Sequence, residues 1–222
     1  MSPDFIIFEC INSKCLFRYP VKSSAKYPLF CPKCKSKVKI ALEYCEYHSD
    51  SATFPQSNKT YFSILLDNLR SAYNVGSILR SADGFHINHI YLCGMTATPD
   101  NSKISKTSLG AENSVAWSYS SNSLITAQKL KQDDFYLYGL ETGPNSHPIY
   151  EINEPKKTQN KVLIVGNELA GIDPMVRNLC DDLIYIPMMG MKSSYNVSIA
   201  FGIAAFYLCN KNEFDLNSLN IE

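Results

Sequence analysis

From Tyr61 onward, the sequence alternates between short β-prone runs and longer stretches with helical periodicity, and this alternation constrains the fold most. The β-prone runs are YFSILLD, HIYLC, FYLYGLE, KVLIVG and LIYIP. The helical stretches are residues 75–85, 124–131, 173–180 and 197–208. Such a chain forms a parallel sheet, because each crossover carries a helix across one face of the sheet. We therefore expect an α/β domain over residues 61–222, with helices on both faces of a parallel sheet.

Three loops that follow predicted strands contain small residues that expose their main chain. They are GLETG (139–143), GNELAG (166–171) and PMMGM (187–191). Ligands of parallel α/β sheets bind outside the carboxyl ends of the strands, where loops meet helix N-termini. Asn74, Asp173 and Asn196 are expected to cap such helices. These loops are the predicted small-molecule site, and the candidate catalytic residues near them are Asn74, Arg80, Glu168, Ser194 and Asn196.

Motifs of several other enzyme classes are absent from the sequence. There is no G-x-G-x-x-G dinucleotide motif, no G-x-x-x-x-G-K-[ST] phosphate loop and no G-x-S-x-G nucleophile motif. The four histidines, at positions 48, 86, 89 and 147, lack the spacing of a metal site. The polar residues near the loops therefore form a candidate site without a conventional general base.

Four of the eight cysteines lie near the N-terminus in the pattern C-x4-C followed, after fifteen residues, by C-x2-C. Two such hooks hold tetrahedral zinc between two turns, and the metal replaces a core that so short a module cannot build. A redox-active pair at C-x2-C is the alternative to zinc. Cys45 and His48 offer substitute ligands for the wider first hook. We predict a zinc-ribbon-like module over residues 1–45 with the ligands Cys10, Cys15, Cys31 and Cys34.

The charge of the chain is unevenly distributed, although its 21 basic and 21 acidic residues sum to zero. Residues 1–60 carry a net charge of +4, and residues 61–222 a net charge of −4. Eight cations and no acidic residue lie between Cys10 and Ile40. Cations at this density repel one another, so we expect a surface that binds a polyanion. Residues 46–60 are polar and aperiodic, and we interpret them as a linker.

No apolar run in the sequence is long enough to span a bilayer, and we expect no membrane partner. The N-terminal residues MSPDFIIFEC lack the basic start and the long apolar run of a secretory signal. We therefore expect a cytoplasmic protein with reduced cysteines.

Three motifs occur in order in the second domain: NVGSILRSAD (74–83), LIVGNELAG (163–171), and IPMMGM (186–191) followed by SYNVSIA (194–200). Together they resemble the motifs of the SpoU/TrmH family of SPOUT RNA methyltransferases. The resemblance covers about 160 residues, from Tyr61 to the end. It implies a C-terminal deep trefoil knot, a homodimer, and transfer of a methyl group from S-adenosylmethionine to a ribose 2′-hydroxyl of RNA. Transfer RNA and ribosomal RNA are both compatible substrates.

The resemblance also implies roles for individual residues. Arg80 would anchor the RNA phosphate and the developing alkoxide, because a guanidinium stays protonated, although a base-like part is also given to this arginine in the family. Asn74 would orient Arg80 or the ribose, and Glu168 would fix Arg80 or accept a proton. Ser194 and Asn196 would position the ribose. The cofactor would contact Leu140, Gly166, Gly171, Ile186, Met188 and Tyr195, the last of which replaces a commoner leucine.

Two alternative functions stay open at this stage. In the first, the protein is a non-catalytic RNA-binding dimer whose zinc ribbon grips RNA. In the second, the enzyme methylates a base, as other branches of the SPOUT group do. Asn74, Arg80 and Asn196 together favour the ribose.

Overall fold

The computed structural model of the protein describes residues 3–45, 61–152 and 159–214. The chain divides into two units, Met1–Gln56 and Ser57–Glu222. The division falls near the end of residues 46–60, which the sequence predicts to be a linker and which lie outside the described residues. The proposed boundaries 1–45, 46–60 and 61–222 stay a prediction. We refer to residues 3–45 as the ribbon unit and to the described residues from 61 onward as the catalytic unit, after the role that its sequence predicts.

The ribbon unit contains a three-stranded antiparallel sheet with the strand order β2-β1-β3. Its strands are β1 (Phe5–Cys10), β2 (Arg18–Lys22) and β3 (Val38–Tyr44). Alternate residues of β1 are buried, namely Ile6, Phe8 and Cys10. Because side chains alternate along a strand, the other residues of β1 lie on the opposite face of the sheet.

The catalytic unit is built on a seven-stranded sheet with the order β6-β5-β4-β9-β7-β10-β8, in which all neighbours are parallel. The central strands contain buried apolar runs, residues 64–66 of β4 and 162–165 of β9, as expected for strands covered on both faces. The strands are β4 (Phe62–Asp67), β5 (His89–Cys93), β6 (Trp117–Ser120), β7 (Tyr136–Leu140), β8 (His147–Pro148), β9 (Lys161–Val165) and β10 (Asp182–Tyr185).

Helices cover both faces of this sheet and form two hydrophobic cores, which confirms the fold class expected from the sequence. Val75 and Ile78 of α1 join Phe201 and Ala204 of α5 in one core. The second core includes residues of α3 and α4. The helices are α1 (Ala72–Gly84), α2 (Ser105–Ser108), α3 (Ser123–Gln132), α4 (Pro174–Arg177) and α5 (Val197–Phe214). Among the described helices, none combines the length and the apolarity needed to cross a membrane.

The first helix starts earlier than the sequence suggests. Asn74 is not its N-cap: α1 begins at Ala72, and the Ser71 side chain accepts a hydrogen bond from the amide of Asn74. Asp173 does cap α4, where it accepts from the amide of Met175. Asn196 accepts from the amide of Ser198 at the start of α5. The strands β6 and β8 and the short helix α2 were not expected. The trefoil knot stays a prediction.

Candidate functional site

A cavity of about 480 Å³ lies at the carboxyl ends of β7, β9 and β10. Its volume falls in the range of about 300–1,000 Å³ that small-molecule sites occupy. The three strands are neighbours in the sheet, or separated by one strand, so their C-terminal loops converge at one edge. The lining residues are 140–142, 165–171, 185–186, 193–197 and Ala200.

The loop after β9 has its main chain packed too closely for any side chain at Gly166. A Cβ at this position would lie 2.3 Å from the carbonyl carbon of Gly171 and 2.3 Å from the amide nitrogen of Ile172. Gly171 itself has a φ of +75°, which favours glycine. The two glycines therefore let the main chain of this loop pack closely on itself, which fixes the shape of the cavity wall that residues 165–171 form.

Glu141 and Asn167 brace this loop, and sequence analysis did not single them out. Glu141 accepts a hydrogen bond from the amide of Ile172 at 2.9 Å. Asn167 accepts from the amides of Leu169 and Ala170, and donates to the carbonyl of Asn68 at 2.6 Å. Both residues lie in the loops 139–143 and 166–171, which follow predicted strands. Their position in these loops is the sequence feature from which a role at the site could have been predicted.

A chain of side-chain hydrogen bonds joins the three sequence motifs. Asn74 Nδ2 donates to Glu168 Oε1 at 3.0 Å. Asn196 Nδ2 donates to Asn74 Oδ1 at 3.2 Å. The chain thus connects the start of α1, the loop after β9 and the start of α5, and two of its members, Glu168 and Asn196, line the cavity.

Glu168 is held as a carboxylate by donors around the start of α1. Its Oε2 accepts from the amide of Arg70 at 2.8 Å, and its Oε1 accepts from the amide of Ser71 at 3.1 Å. Burial acts to raise the pKa of Glu168, but these bonds and the one from Asn74 outweigh burial and lower the pKa below its ordinary value. A carboxylate stabilised in this way is a poor proton acceptor, and its geometry indicates that it orients Asn74.

The structure brings most of the predicted cofactor residues together. Five of the six line the cavity, and Met188 does not. Met188 lies two residues beyond the cavity wall at Ile186 and is half-buried. The residues of the predicted set that line the cavity are Leu140, Gly166, Gly171, Ile186 and Tyr195.

The predicted catalytic residues divide into two groups. Glu168, Ser194 and Asn196 line the cavity, whereas Asn74 reaches it through Asn196. Arg80 lies on the exposed side of α1 and is not part of the cavity wall. Among the described side chains, which cover residues 3–45, 61–152 and 159–211, none forms an ion pair with its guanidinium. Glu168 therefore contacts Asn74 and not Arg80.

The four predicted zinc ligands meet in the ribbon unit. Their sulfur atoms all lie within 4.8 Å of one another, with Cys10 Sγ 3.4 Å from Cys34 Sγ and Cys15 Sγ 3.9 Å from Cys31 Sγ. Tetrahedral zinc with bonds of about 2.3 Å requires sulfur separations of about 3.8 Å. The four thiols therefore fit a zinc ion, as their spacing predicted.

The chemistry of the thiols also fits a cation. Hydrogen bonds from Ser36 lower the pKa of Cys34 to about 6, whereas burial raises the pKa of Cys10 to about 12. Four thiols this close can ionise together only when a cation lies between them. Cys45 is exposed and lies outside the four-sulfur cluster, and His48 lies outside the described residues.

The catalytic unit has recognisable relatives. The profile of the SpoU rRNA Methylase family matches residues 61–206. The 23S rRNA (guanosine-2′-O-)-methyltransferase RlmB of Vibrio parahaemolyticus is 32% identical over 171 residues, which cover 77% of this chain and 67% of that protein. RlmB of Escherichia coli K12 is 32% identical over 145 residues, which cover 65% of this chain and 58% of that protein. The chain thus spans less than two thirds of the E. coli relative.

Solved structures have the same fold. The Aquifex aeolicus structure described as "A. aeolicus TrmH/SpoU tRNA modifying enzyme" is 25% identical, with a TM-score of 0.62, and the match covers 71% of this chain and 78% of that one. The SpoU methyltransferase AviRb of Streptomyces viridochromogenes, in complex with AdoMet, is 22% identical with a TM-score of 0.63, over 82% and 68% of the two chains. Because the family profile matches about two thirds of the sequence, the protein belongs to the SpoU rRNA methylase family.

Proposed function

We propose that the protein transfers a methyl group from S-adenosylmethionine to a ribose 2′-hydroxyl of ribosomal or transfer RNA. The observation that carries this proposal is the cavity of about 480 Å³, whose wall is joined to all three sequence motifs by one hydrogen-bond chain. Membership of the SpoU family and the 2′-O-methyltransferase names of the relatives support the reaction type. The cytoplasm, where both RNA classes are found, is the proposed location.

The loop after β9 would hold the cofactor through its main chain. S-adenosylmethionine supplies a methyl group on a positively charged sulfur. Gly166 and Gly171 set the closely packed shape of this loop, and Leu140, Ile186 and Tyr195 add apolar surface from the other walls. Glu141, which directly follows Leu140, contributes a carboxylate to the lining of the same cavity. In this arrangement, specificity comes from backbone geometry and leaves the side chains free to vary.

Arg80 is proposed to bind the RNA phosphate next to the target ribose. Its exposed guanidinium can approach a bulky polyanion without competition from a carboxylate of the described residues. A positive charge at this place also stabilises the negative charge that develops on the attacking oxygen. Arg80 is then an electrostatic anchor, and the proton of the hydroxyl passes to solvent or to a phosphate oxygen.

Asn74 and Asn196 are proposed to position the ribose. Their amides are already aligned by the bond between them and by the bond from Asn74 to Glu168. Ser194, exposed on the cavity wall, offers one more neutral hydrogen-bonding group. Because these neutral groups are already aligned, they reduce the entropic cost of orienting the ribose hydroxyl for the reaction.

A homodimer is part of this proposal. Three apolar side chains on one side of α5 are exposed in the single chain: Ile199 at 55%, Ile203 at 39% and Phe206 at 51%. Their spacing of four and three residues places them in one stripe. Such a stripe is typical of a helix that packs against a partner, and an Ile199→Glu variant should run as a monomer in light scattering coupled to gel filtration.

The proposed reaction is tested with labelled S-adenosylmethionine and two RNA pools, one of ribosomal RNA and one of transfer RNA. The RNA is digested to nucleosides, and the label is located by mass spectrometry. Label on the ribose of a nucleoside is the expected result. Label that stays with the base after the base is released would establish base methylation, and absence of label in both pools would favour a non-catalytic RNA-binding protein.

Arg80→Ala tests the proposed role of the cation. Transfer should fall on the order of a hundredfold or more, since one electrostatic donor to a developing anion is removed. Cofactor affinity in calorimetry should stay unchanged, because Arg80 is outside the cavity wall. The matched control is Lys129→Ala, an exposed cation on α3, which should alter neither quantity. Full activity of Arg80→Ala would remove this residue from the mechanism.

A further inference from the structure

One face of the sheet in the ribbon unit is exposed. Phe5, Ile7 and Glu9 of β1 point to this face, since Ile6, Phe8 and Cys10 are buried on the other. The register sets Phe5 opposite Lys22 and Tyr44, and Glu9 opposite Arg18 and Lys39. We call the outward side of these cross-strand rows, from Phe5 to Glu9, the open face. It is about 13 Å long from Phe5 to Glu9, because strands rise about 3.3 Å per residue.

An aromatic pair occupies one end of the open face. The rings of Phe5 and Tyr44 are nearly parallel, with 17° between their planes and 5.6 Å between their centroids. Tyr44 is 39% exposed and the neighbouring Leu42 is 51% exposed. Flat aromatic surface that is open to solvent is unfavourable unless something covers it, and the bases of a nucleic acid stack well on such surfaces.

The charges of the open face favour an anion. Its carboxylate, Glu9, is bound by Lys39 at 3.2 Å and by Arg18 at 3.2 Å, and is thereby neutralised. Lys22 adds a further cation beside Phe5. Three cations against one carboxylate leave the face with a net charge of +2. A second copy of the same face would be repelled by this charge, so self-association through it is disfavoured.

We propose that the open face binds a single-stranded segment of the RNA substrate. Phe5 and Tyr44 stack on unpaired bases, and Lys22, Arg18 and Lys39 bind the phosphates that flank them. A duplex cannot use this site, because its bases already stack on each other and do not present their faces. This inference rests on the proposed function for the identity of the RNA, and it assigns to the ribbon unit the selection of an unpaired region.

The test uses the full chain loaded with zinc and a fluorescent oligoadenylate RNA, alone or annealed to oligouridylate, with binding followed by anisotropy at several salt concentrations. Tyr44→Leu removes the ring and keeps an apolar side chain, and should weaken single-strand binding by about tenfold. Lys22→Ala should lower the slope of log affinity against log salt by about 0.7. Lys129→Ala, an exposed cation on α3 of the catalytic unit, is the matched control and should change neither.

Two controls detect a folding defect. The zinc content of each variant should equal that of the wild type, and Tyr44→Phe, which keeps the ring, should bind the single strand with wild-type affinity. If Tyr44→Leu loses zinc, the salt slope of Lys22→Ala decides. Unchanged single-strand affinity in both variants, or equal affinity for single strand and duplex, overturns the inference. The inference is equally overturned when the variants keep RNA affinity but lower the Tm of the catalytic unit, since the open face would then pack within the chain.

The two proposals fail separately in these experiments. A wild type that binds the oligonucleotide through the open face but labels no RNA refutes methyl transfer alone. A wild type that labels RNA while the open-face variants bind as it does refutes the inference alone.

Discussion

Replacing Glu168 by glutamine tests the hydrogen-bond chain on which the candidate site is built. The glutamate accepts from the amides of Arg70 and Ser71 and from the side chain of Asn74. Glutamine has one acceptor oxygen, so at least one of these donors would face an NH2 group. A hydrogen bond to a charged group contributes about 1.5–3 kcal/mol to stability.

We expect the free energy of unfolding to fall by about 2 kcal/mol, in the lower part of this range. The loss is limited because Glu168 is half-exposed, so water can bind the donors that lose their acceptor. For a domain of this size, 1 kcal/mol corresponds to about 2–4 °C, so the Tm of the catalytic unit should fall by about 4–8 °C at pH 7. Methyl transfer should fall as well, since Asn74 loses the partner that orients it.

The stability difference between the wild type and Glu168→Gln should depend on pH. The pKa of Glu168 is lowered in the folded protein, so the carboxylate stabilises the fold above the ordinary value of 4.5. That stability is lost as the pH falls through the lowered pKa. Thermal unfolding followed by circular dichroism should therefore show the largest difference between wild type and Glu168→Gln at neutral pH, and a shrinking difference below pH 4.5.

Glu112→Gln is the matched control for Glu168→Gln. Glu112 also accepts from a backbone amide, that of Gly110, and from Ser108, which lowers its pKa, but it is not part of the cavity wall. Its replacement should lower the Tm without changing cofactor affinity or transfer. The reasoning fails if Glu168→Gln has the Tm of the wild type at pH 7, or if its effect on transfer is no larger than that of the control.

Three further predictions follow from local geometry. Gly166→Ala should abolish cofactor binding in calorimetry, because its Cβ would lie 2.3 Å from the main chain of Gly171, whereas Gly143→Ala, with open space around it, should bind normally. Chelation of zinc should unfold the ribbon unit and leave the Tm of the catalytic unit unchanged, as calorimetric scans can show. Burial opposes charge on His147, but its pair with Asp182 raises its pKa, so His147→Gln should lower the Tm more at pH 6 than at pH 9.

Two of the three predicted site loops, 139–143 and 166–171, contribute to the cavity wall, and they were found from the sequence because small residues follow apolar runs. Residues 187–191 of the third loop do not line the cavity; the flanking residues 185–186 and 193–197 do. Such apolar runs are local features: the apolar residues 64–66 at the centre of β4 are fully buried, as expected for a strand covered on both faces. The cysteine spacing likewise predicted a four-thiol cluster, since two short hooks can close on a single ion. These patterns depend only on residues close in sequence, so they can be interpreted without knowledge of the fold.

The start of α1 shows where local rules give the wrong answer. Both Ser71 and Asn74 are good capping residues, and the sequence alone does not rank them. The structure selects Ser71 because the amides of Arg70 and Ser71 are bound by Glu168, which lies 97 residues away from Ser71. Asn74 is thereby released from capping and becomes part of the site.

The sequence by itself determined the class of fold, the cysteine cluster and two of the three loops at the cavity, because each depends on the spacing of neighbouring residues. Only the tertiary structure decided which residues share the site. Asn74 contacts Glu168 and Asn196, 94 and 122 residues away, because the sheet order sets their strands and helices side by side. Arg80 shares a motif with Asn74, yet six residues at 100° each turn it to a different side of α1.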